Sequence, residues 1–433
     1  MLICTYSEIS LECIVDNLSF ERNEQCMTYD VIVIGGGASG LYLAAHLKTR
    51  NALIIEKKQR VGIKLLASGS GQCNLTHAGY MNHFYECYGD KRRYVKPALS
   101  AHSNNDVIRF FESNGVNCFT RDDGKVFPQS LKAMDVLSAL LKACRHTQIL
   151  TEKPVTAVAV EEGLYRVETA QGSYRSKNLV IATGGKSYPT MGSEGDGYRL
   201  AEQLGFQVVS PKPGLTGVVT REKSLTALSG IALKGCVITH LRSGARFKAY
   251  NGDLLFTHFG LSGPVILNNS RWFERGDTLA ISFVTVSEEV LEADFLALVA
   301  SDGEKPLAFF LNRLVLPDAL LSLVLSKASV AREVKLANIT RAQRRGLMEN
   351  LCRYPVEIEN LIGYQQAMVT VGGVSLDEIN LKTMESLKHE GLYFTGEVLD
   401  VDGDTGGYNL QWAFSSAWCA AEAINKKLQG VKT

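Results

Sequence analysis

The chain has no C-x-x-C pair, although ten cysteines are scattered at positions 4, 13, 26, 73, 87, 118, 144, 236, 352 and 419. That absence excludes a dithiol redox centre of the usual spacing. No closely spaced His/Cys set offers zinc ligands either, so no metal is expected. No stretch reaches the roughly 18 uninterrupted apolar residues that a membrane-spanning helix needs. Net charge is also nearly lacking, because 46 Lys and Arg face 45 Asp and Glu to leave +1. With no global field to draw in a polyanion, a dedicated nucleic-acid binder is disfavoured, and only local basic patches are left to consider. The first 26 residues carry no basic stretch leading into an apolar one, so they do not read as a signal peptide. Met27 directly precedes the first strong strand, and residues 1–26 are expected to be an appendage. A chain of this length builds a core without disulfide staples, which points to reduced thiols and a cytoplasmic protein.

What the chain does have is glycine, 39 residues of it, much of it clustered. Clustered glycine signals places where the backbone must come close to something else. With 433 residues, two or three domains are the starting expectation. The apolar, β-branched run from Tyr29 to Ile34 suits a buried parallel strand. It runs into Gly35-Gly36-Gly37-Ala38-Ser39-Gly40 and then a helical pattern through Leu41, Ala44, Ala45 and Leu47. A second apolar run, Ala52 to Ile55, ends in Glu56, completing a βαβ unit. Leu179 to Ala182 and Gly391 to Thr395 repeat the motif of a buried strand meeting glycine. From Phe206 to Val286 the texture alternates in the manner of antiparallel strands, and from Glu288 to Asn350 it turns helical.

Gly35, Gly37 and Gly40 occupy the positions of a G-x-G-x-x-G fingerprint between strand and helix, which points to a dinucleotide. Glu56 lies where a carboxylate accepts hydrogen bonds from a ribose, and it repels a 2′-phosphate. Further glycine-rich walls at Gly62 to Asn74, Gly396-Glu397 and Gly406-Gly407-Tyr408-Asn409 suit a longer, extended cofactor, and so favour FAD over a nicotinamide nucleotide. The last of them opens a helical pattern with Asn409 as the expected N-cap. A helix N-terminus there would stabilise an anionic reduced flavin.

Six blocks together resemble a known family: Asp30 to Gly40, Gly62 to Asn74, Ala182 to Gly185, Thr257 to Pro264, Thr370 to Val374 and Gly396 to Gln411. Their order and spacing are similar to those of the BaiN/RdsA-type (YhiN-like) NAD(P)/FAD-dependent oxidoreductases, over residues 27 to about 428. The resemblance implies an α/β fold with a Rossmann-like FAD-binding domain of the two-dinucleotide-binding-domain flavoprotein type, interrupted by a β-barrel-like insert and a small helical subdomain. The expected boundaries are 27–205 with 365–433 for the FAD domain, 206–287 with 351–364 for the insert, and 288–350 for the helices. It further implies FAD contacts at Gly35, Gly37, Ala38, Ser39, Gly40, Glu56, Lys57, Lys64, Gly71, Asn74, Ala182, Thr183, Gly184, Gly396, Glu397, Gly407 and Asn409. The chain departs from the family in Gly69-Ser70-Gly71-Gln72-Cys73, where many relatives carry an arginine, and in the variable stretch Asp402 to Thr405.

The same resemblance points to reduction of conjugated C=C bonds, either in an enone-type small molecule or in a uridine of ribosomal RNA, giving dihydrouridine. No second fingerprint for a nicotinamide nucleotide is present, so NAD(P)H is expected to act as a transient electron donor. Such a reduction needs a proton donor, and Cys73, Tyr188, His258 and Tyr408 are the candidates. The basic run Lys91-Arg92-Arg93-Tyr94-Val95-Lys96 offers a possible contact for ribosomal RNA, with Tyr94 available to stack. Two other readings stand beside this one: a flavin-binding RNA- or protein-interaction module with little turnover, and an amine-oxidising flavoenzyme.

Overall fold

The computed structural model describes residues 27–431, so the expectation for residues 1–26 lies outside the described residues. The first strand, β1 (Thr28–Ile34), leads through the glycine loop into helix α1 (Ala38–His46) and returns as β2 (Ala52–Ile55). Val31, Ile32, Val33, Leu53 and Ile54 are all fully buried. Burial on both faces is what a parallel central strand requires, and each such side chain contributes roughly 1.5–3 kcal/mol relative to exposure.

Strand β3 (Gln148–Leu150) pairs with β2, strand β4 (Gly172–Ile181) lies on the other side of β1, and β5 (Leu392–Phe394) pairs with β4. These five strands are parallel, in the order β5-β4-β1-β2-β3. Helix α2 (Tyr408–Leu428) packs along α1 with its apolar face buried, including Trp412, Phe414, Ala417 and Ile424. This is a Rossmann-like α/β layer with an antiparallel β-meander, Val155–Glu161 and Leu164–Thr169, appended to β4.

The chain leaves this lobe through Val208–Gly214 and returns through Val369–Val374. These two segments pair antiparallel as a ribbon, from Val208 opposite Val374 to Gly214 opposite Val369. Between them, six antiparallel strands close into a barrel: Val218–Thr220, Gly260–Ser262, Ala245–Thr257, Ala232–Arg242, Thr278–Ser282 and Tyr354–Leu361. Helices Glu288–Asp302, Asp318–Ala328 and Arg341–Cys352 pack onto it. Their Phe295, Val324 and Leu347 join Ile238, Phe256 and Ile281 of the barrel in one buried cluster, separate from the cluster of the first lobe. No helix among the described residues is long and apolar enough to cross a membrane.

Candidate active site

The glycine loop is shaped by two contacts and one opening. A Cβ at Gly35 would lie 2.5 Å from the carbonyl oxygen of Ala182, and one at Gly40 would lie 2.0 Å from that of Gly35. Neither position tolerates a side chain, because strand, loop and helix touch there through backbone. A Cβ at Gly37 would meet nothing within 4 Å. Gly37 caps α1, whose first turn carries no acidic side chain. The result is an open ledge at the positive end of a helix, suited to an anion. Ala38 opens the helix. Ser39 is buried and donates a hydrogen bond to Thr395 Oγ1 at 2.8 Å, which ties the loop to the end of β5.

Glu56 braces this loop. Its Oε2 accepts from the Gly36 amide and its Oε1 from the Lys58 amide, both at 2.8 Å. Each oxygen keeps a lone pair for a hydroxyl. Lys57 pairs with Glu194 at 2.7 Å and Asp196 at 2.5 Å. Burial opposes its charge, but these two carboxylates outweigh that and hold its amine above the usual lysine range.

The glycine-rich wall of residues 62–74 contains a short helix, Ile63–Ala67, followed by a tight turn, Ser68–Gly71. The Lys64 ammonium reaches Ser187 Oγ at 2.5 Å and Glu397 Oε2 at 2.6 Å. Glu397 Oε1 accepts from Ser187 Oγ at 2.9 Å and from the Thr370 amide at 2.8 Å. One lysine–glutamate pair thus clamps four segments that are remote in sequence. Ala182 and Thr183 lead out of β4 into Gly184, which faces the same clamp. Gly396 is pinned at both ends, its amide to Ser416 Oγ at 2.9 Å and its carbonyl to the Trp412 indole at 3.1 Å. Gly71 closes the turn. Beyond it, Asn74 Oδ1 is buried without a hydrogen-bond partner among the described residues. In this turn Gln72 accepts from Arg121 at 2.5 Å.

These features fit a bound FAD. The Gly37 ledge leaves room where a side chain would intrude, and Asn74 Oδ1 is an acceptor in need of a donor. One expectation is corrected at the final wall. Gly407, not Asn409, is the N-cap of α2, in a left-handed conformation with φ 100°. A Cβ there would lie 2.5 Å from the Thr76 backbone, so only glycine fits. The Asn409 side chain instead closes the preceding loop, accepting from the Gly403 amide at 2.8 Å and donating to the Gly403 carbonyl at 2.9 Å.

No hydrogen bond, ion pair or ring contact joins any two of the four proton-donor candidates. Cys73 is fully buried, and burial pushes its thiol up to about 12. Tyr408 is buried against His77, with ring centroids 5.2 Å apart, and burial raises its hydroxyl far above the usual range. Tyr188 is half-buried, its amide donating to the Tyr364 carbonyl at 2.9 Å. His258 is exposed in the turn that links Ala245–Thr257 to Gly260–Ser262.

The basic run is dispersed rather than presented as one patch. Lys91 is paired with Asp400 at 2.5 Å, and the Tyr94 hydroxyl donates to Asp377 at 3.0 Å, which ties down the ring expected to be free for stacking. Arg92, Arg93 and Lys96 are exposed. Arg92 stands at the edge of a cleft of about 460 Å³ between the two lobes. At its floor Arg271, only 5% exposed, pairs with Asp404 and lies 3.2 Å from Asp402. The Asp402 contact is off the hydrogen-bond angle, so Arg271 Nε and Asp402 Oδ2 both lack a hydrogen-bond partner. Burial raises the carboxyls of Asp402 and Asp404 to about 6, against the pull of Arg271. None of the cleft residues from the barrel lobe was singled out from sequence. They carry no motif, and the only hint was the variable stretch Asp402 to Thr405.

Residues 29–423 match the model of the HI0933-like protein Rossmann domain. The chain is 34% identical over 409 residues to a ribosomal RNA dihydrouridine synthase of Haemophilus influenzae, covering 92% of this chain and 98% of that one. Against a ribosomal RNA dihydrouridine synthase of Escherichia coli it is 30% identical, with 92% and 99% covered. A 3-dehydro-bile acid delta(4,6)-reductase of Clostridium scindens is 28% identical, with 91% and 98% covered. Among solved structures, quinol fumarate reductase FrdA of Escherichia coli superposes with a TM-score of 0.50 at 16% identity, over 94% of this chain and 72% of that one.

Proposed function

The chain belongs to the HI0933-like Rossmann-domain family, and on that premise we propose that it is an FAD-dependent oxidoreductase that reduces the C=C bond of a uridine in ribosomal RNA to give dihydrouridine. The observation that carries the reading is the similarity to two ribosomal RNA dihydrouridine synthases across nearly their whole length. The cradle described above supplies what the cofactor requires. The Gly37 ledge and the amides of Ala38, Ser39 and Gly40 receive the diphosphate, with Gly35 and Gly40 keeping the turn tight. Glu56 takes the adenosine ribose, and Lys57 stands beside it. The clamp of Lys64 and Glu397, with Gly71, Asn74, Ala182, Thr183, Gly184 and Gly396, walls the flavin half, and Gly407 presents the N-terminus of α2, with Asn409 holding that turn.

When bound, FAD supplies the hydride chemistry; the chain binds, orients and protonates. NAD(P)H acts as a transient donor, since one fingerprint is already taken by FAD. A proton must reach the carbon next to the one that accepts hydride. Cys73 and Tyr408 are buried, which makes both weaker acids, and serve packing, whereas His258 and Tyr188 keep the solvent access that a proton donor uses. Exposed Arg92, Arg93 and Lys96 contact RNA phosphates, and an RNA substrate places the reaction in the cytoplasm.

Mass spectrometry of ribosomal RNA from a strain lacking the gene tests the assignment. Loss of a dihydrouridine is expected, and an unchanged dihydrouridine content sinks the RNA reading. Anaerobic NAD(P)H is expected to bleach the flavin, with reoxidation by an added acceptor. A flavin that stays oxidised would instead favour a binding module without turnover.

A further inference from the structure

The cleft between the lobes is lined by Glu86, Gly89, Asp90 and Arg92 of the first lobe, by Lys248, Tyr250, Asn268, Asn269, Arg271 and Trp272 of the barrel lobe, and by Asp404. Its volume of about 460 Å³ falls within the roughly 300–1,000 Å³ of small-ligand pockets. No aliphatic side chain lines it; its only apolar surfaces are the Tyr250 and Trp272 rings. A steroid skeleton would find no partner there, whereas a planar polar ring would. Three cations, Arg92, Lys248 and Arg271, face three carboxylates, Glu86, Asp90 and Asp404, so the cleft does not select a run of phosphates.

Two amides on the wall are fixed in opposite senses. Asn268 Oδ1 accepts from both the amide and the hydroxyl of Thr405, at 2.9 and 3.0 Å, so its Nδ2 is left as the available donor. Asn269 Nδ2 donates to the Val265 carbonyl at 2.8 Å, which leaves its Oδ1 as the available acceptor. Because each is pinned by a backbone group, neither amide can flip without losing a hydrogen bond. The wall thus offers one amide donor and one amide acceptor, the pair of groups that the O4 and N3–H of uracil call for and that the N4 amino group and bare N3 of cytosine oppose. Thr405, the partner of Asn268, directly precedes Gly406 and Gly407, so the same short segment forms the wall of the cleft and the last wall of the cofactor cradle. Arg271 is nine-tenths buried, and its Nε lacks a hydrogen-bond partner.

We propose that this cleft is the uracil-binding pocket, with Asn268 donating to O4, Asn269 accepting from N3–H, and Arg92 and Lys248 receiving the flanking phosphate. The Lys248 ammonium lies 3.3 Å from the centre of the Trp272 ring, fixing the indole as one side of the slot. The proposal rests on the reading of the protein as a reductase of a uridine base. Arg271 is a positioning residue, holding Asp402 and Asp404 and through them the segment that carries Thr405.

The holoenzyme is titrated into fluorescein-labelled pentaribonucleotides A-A-U-A-A and A-A-C-A-A, with binding read by anisotropy. The uridine probe binds roughly tenfold to hundredfold more tightly, and the double substitution Asn268→Leu with Asn269→Leu abolishes that preference, with flavin content and Tm as folding controls. If that variant does not fold, Arg92→Ala supplies the second measurement. It weakens both probes equally, about threefold, because a phosphate contact carries no base information. Equal binding of the two probes by the parent, no binding of either, a preference that survives the double substitution, or an Arg92 effect confined to one probe overturns the proposal. The two readings separate cleanly. Dihydrouridine lost from the deletion strain without uridine preference leaves the reaction standing and removes the pocket. Uridine preference with dihydrouridine unchanged leaves the pocket standing and removes the reaction.

Discussion

The Gly37 ledge and the seam cleft lie toward opposite ends of one segment, residues 396–407, yet they are built by opposite means. The ledge is made by subtraction: backbone touches backbone at Gly35 and Gly40, and space is left at Gly37. The cleft is made by addition, from a buried arginine and two carboxylates drawn from different lobes. A site made by close backbone approach is indifferent to pH and intolerant of volume. A site made by buried charge is the reverse, which is why the two regions answer to different perturbations.

The largest expected effect is at the cleft. Arg271→Ala strands the buried Asp402 carboxylate and unpairs the partly exposed Asp404, and should cost about 3 kcal/mol, read as a lowered denaturant midpoint. A change under about 1 kcal/mol would mean that the seam is wetter than its burial implies. Next comes the glycine loop. Gly40→Ala forces a methyl into the Gly35 carbonyl and should cost about 1–3 kcal/mol and most of the bound flavin. Gly37→Ala sharpens the contrast: its φ of −83° suits alanine, so the apo-protein should stay within about 0.5 kcal/mol of the parent while flavin retention, read by absorbance, falls. Equal destabilisation by the two substitutions would erase the distinction between contact and ledge.

Acid provides a third test. The folded-state carboxyls of Asp402 and Asp404 titrate near 6 because of burial, above the roughly 3.9 of an unfolded aspartate. Between those values the folded state binds more protons, so this contribution to stability is greatest below pH of about 4 and is lost as pH rises to about 6. The Tm of the parent minus that of Asp402→Asn should therefore decline across that window, and a flat difference contradicts the buried pair. Smallest is Cys73→Ala. It removes a buried packing group for about 1 kcal/mol, with the rate of uridine reduction within about twofold of the parent. A larger loss of rate would return the thiol to the chemistry.

What could be read from the sequence divides along the same line. Strand, loop and helix around Gly35 to Gly40 leave a local record, because adjacent residues must satisfy one backbone geometry. The Rossmann-like layer follows from runs such as Val31 to Ile34, and the alternation of residues 206–286 points to antiparallel strands, whose closure into a barrel only the family resemblance implied. The clamp of Lys64 and Glu397 left only its two ends visible. Ser187 completes it through contacts across 123 and 210 residues, and no spacing encodes that. Asn409 was assigned as a cap from residue type alone, but the close approach to Thr76 decided for Gly407. The cleft was illegible because Asn268 and Arg271 meet Thr405 and Asp404 only when the barrel docks.

The ribbon of Val208–Gly214 and Val369–Val374 carries one last consequence. The barrel lobe starts and finishes at adjacent points, Gly214 opposite Val369, so topologically it is a long loop grafted onto a complete α/β sheet. Such a graft can be lengthened, trimmed or exchanged without rethreading any parallel strand. In this architecture the α/β half is constrained by its own backbone, whereas the grafted half is free to diverge without disturbing it.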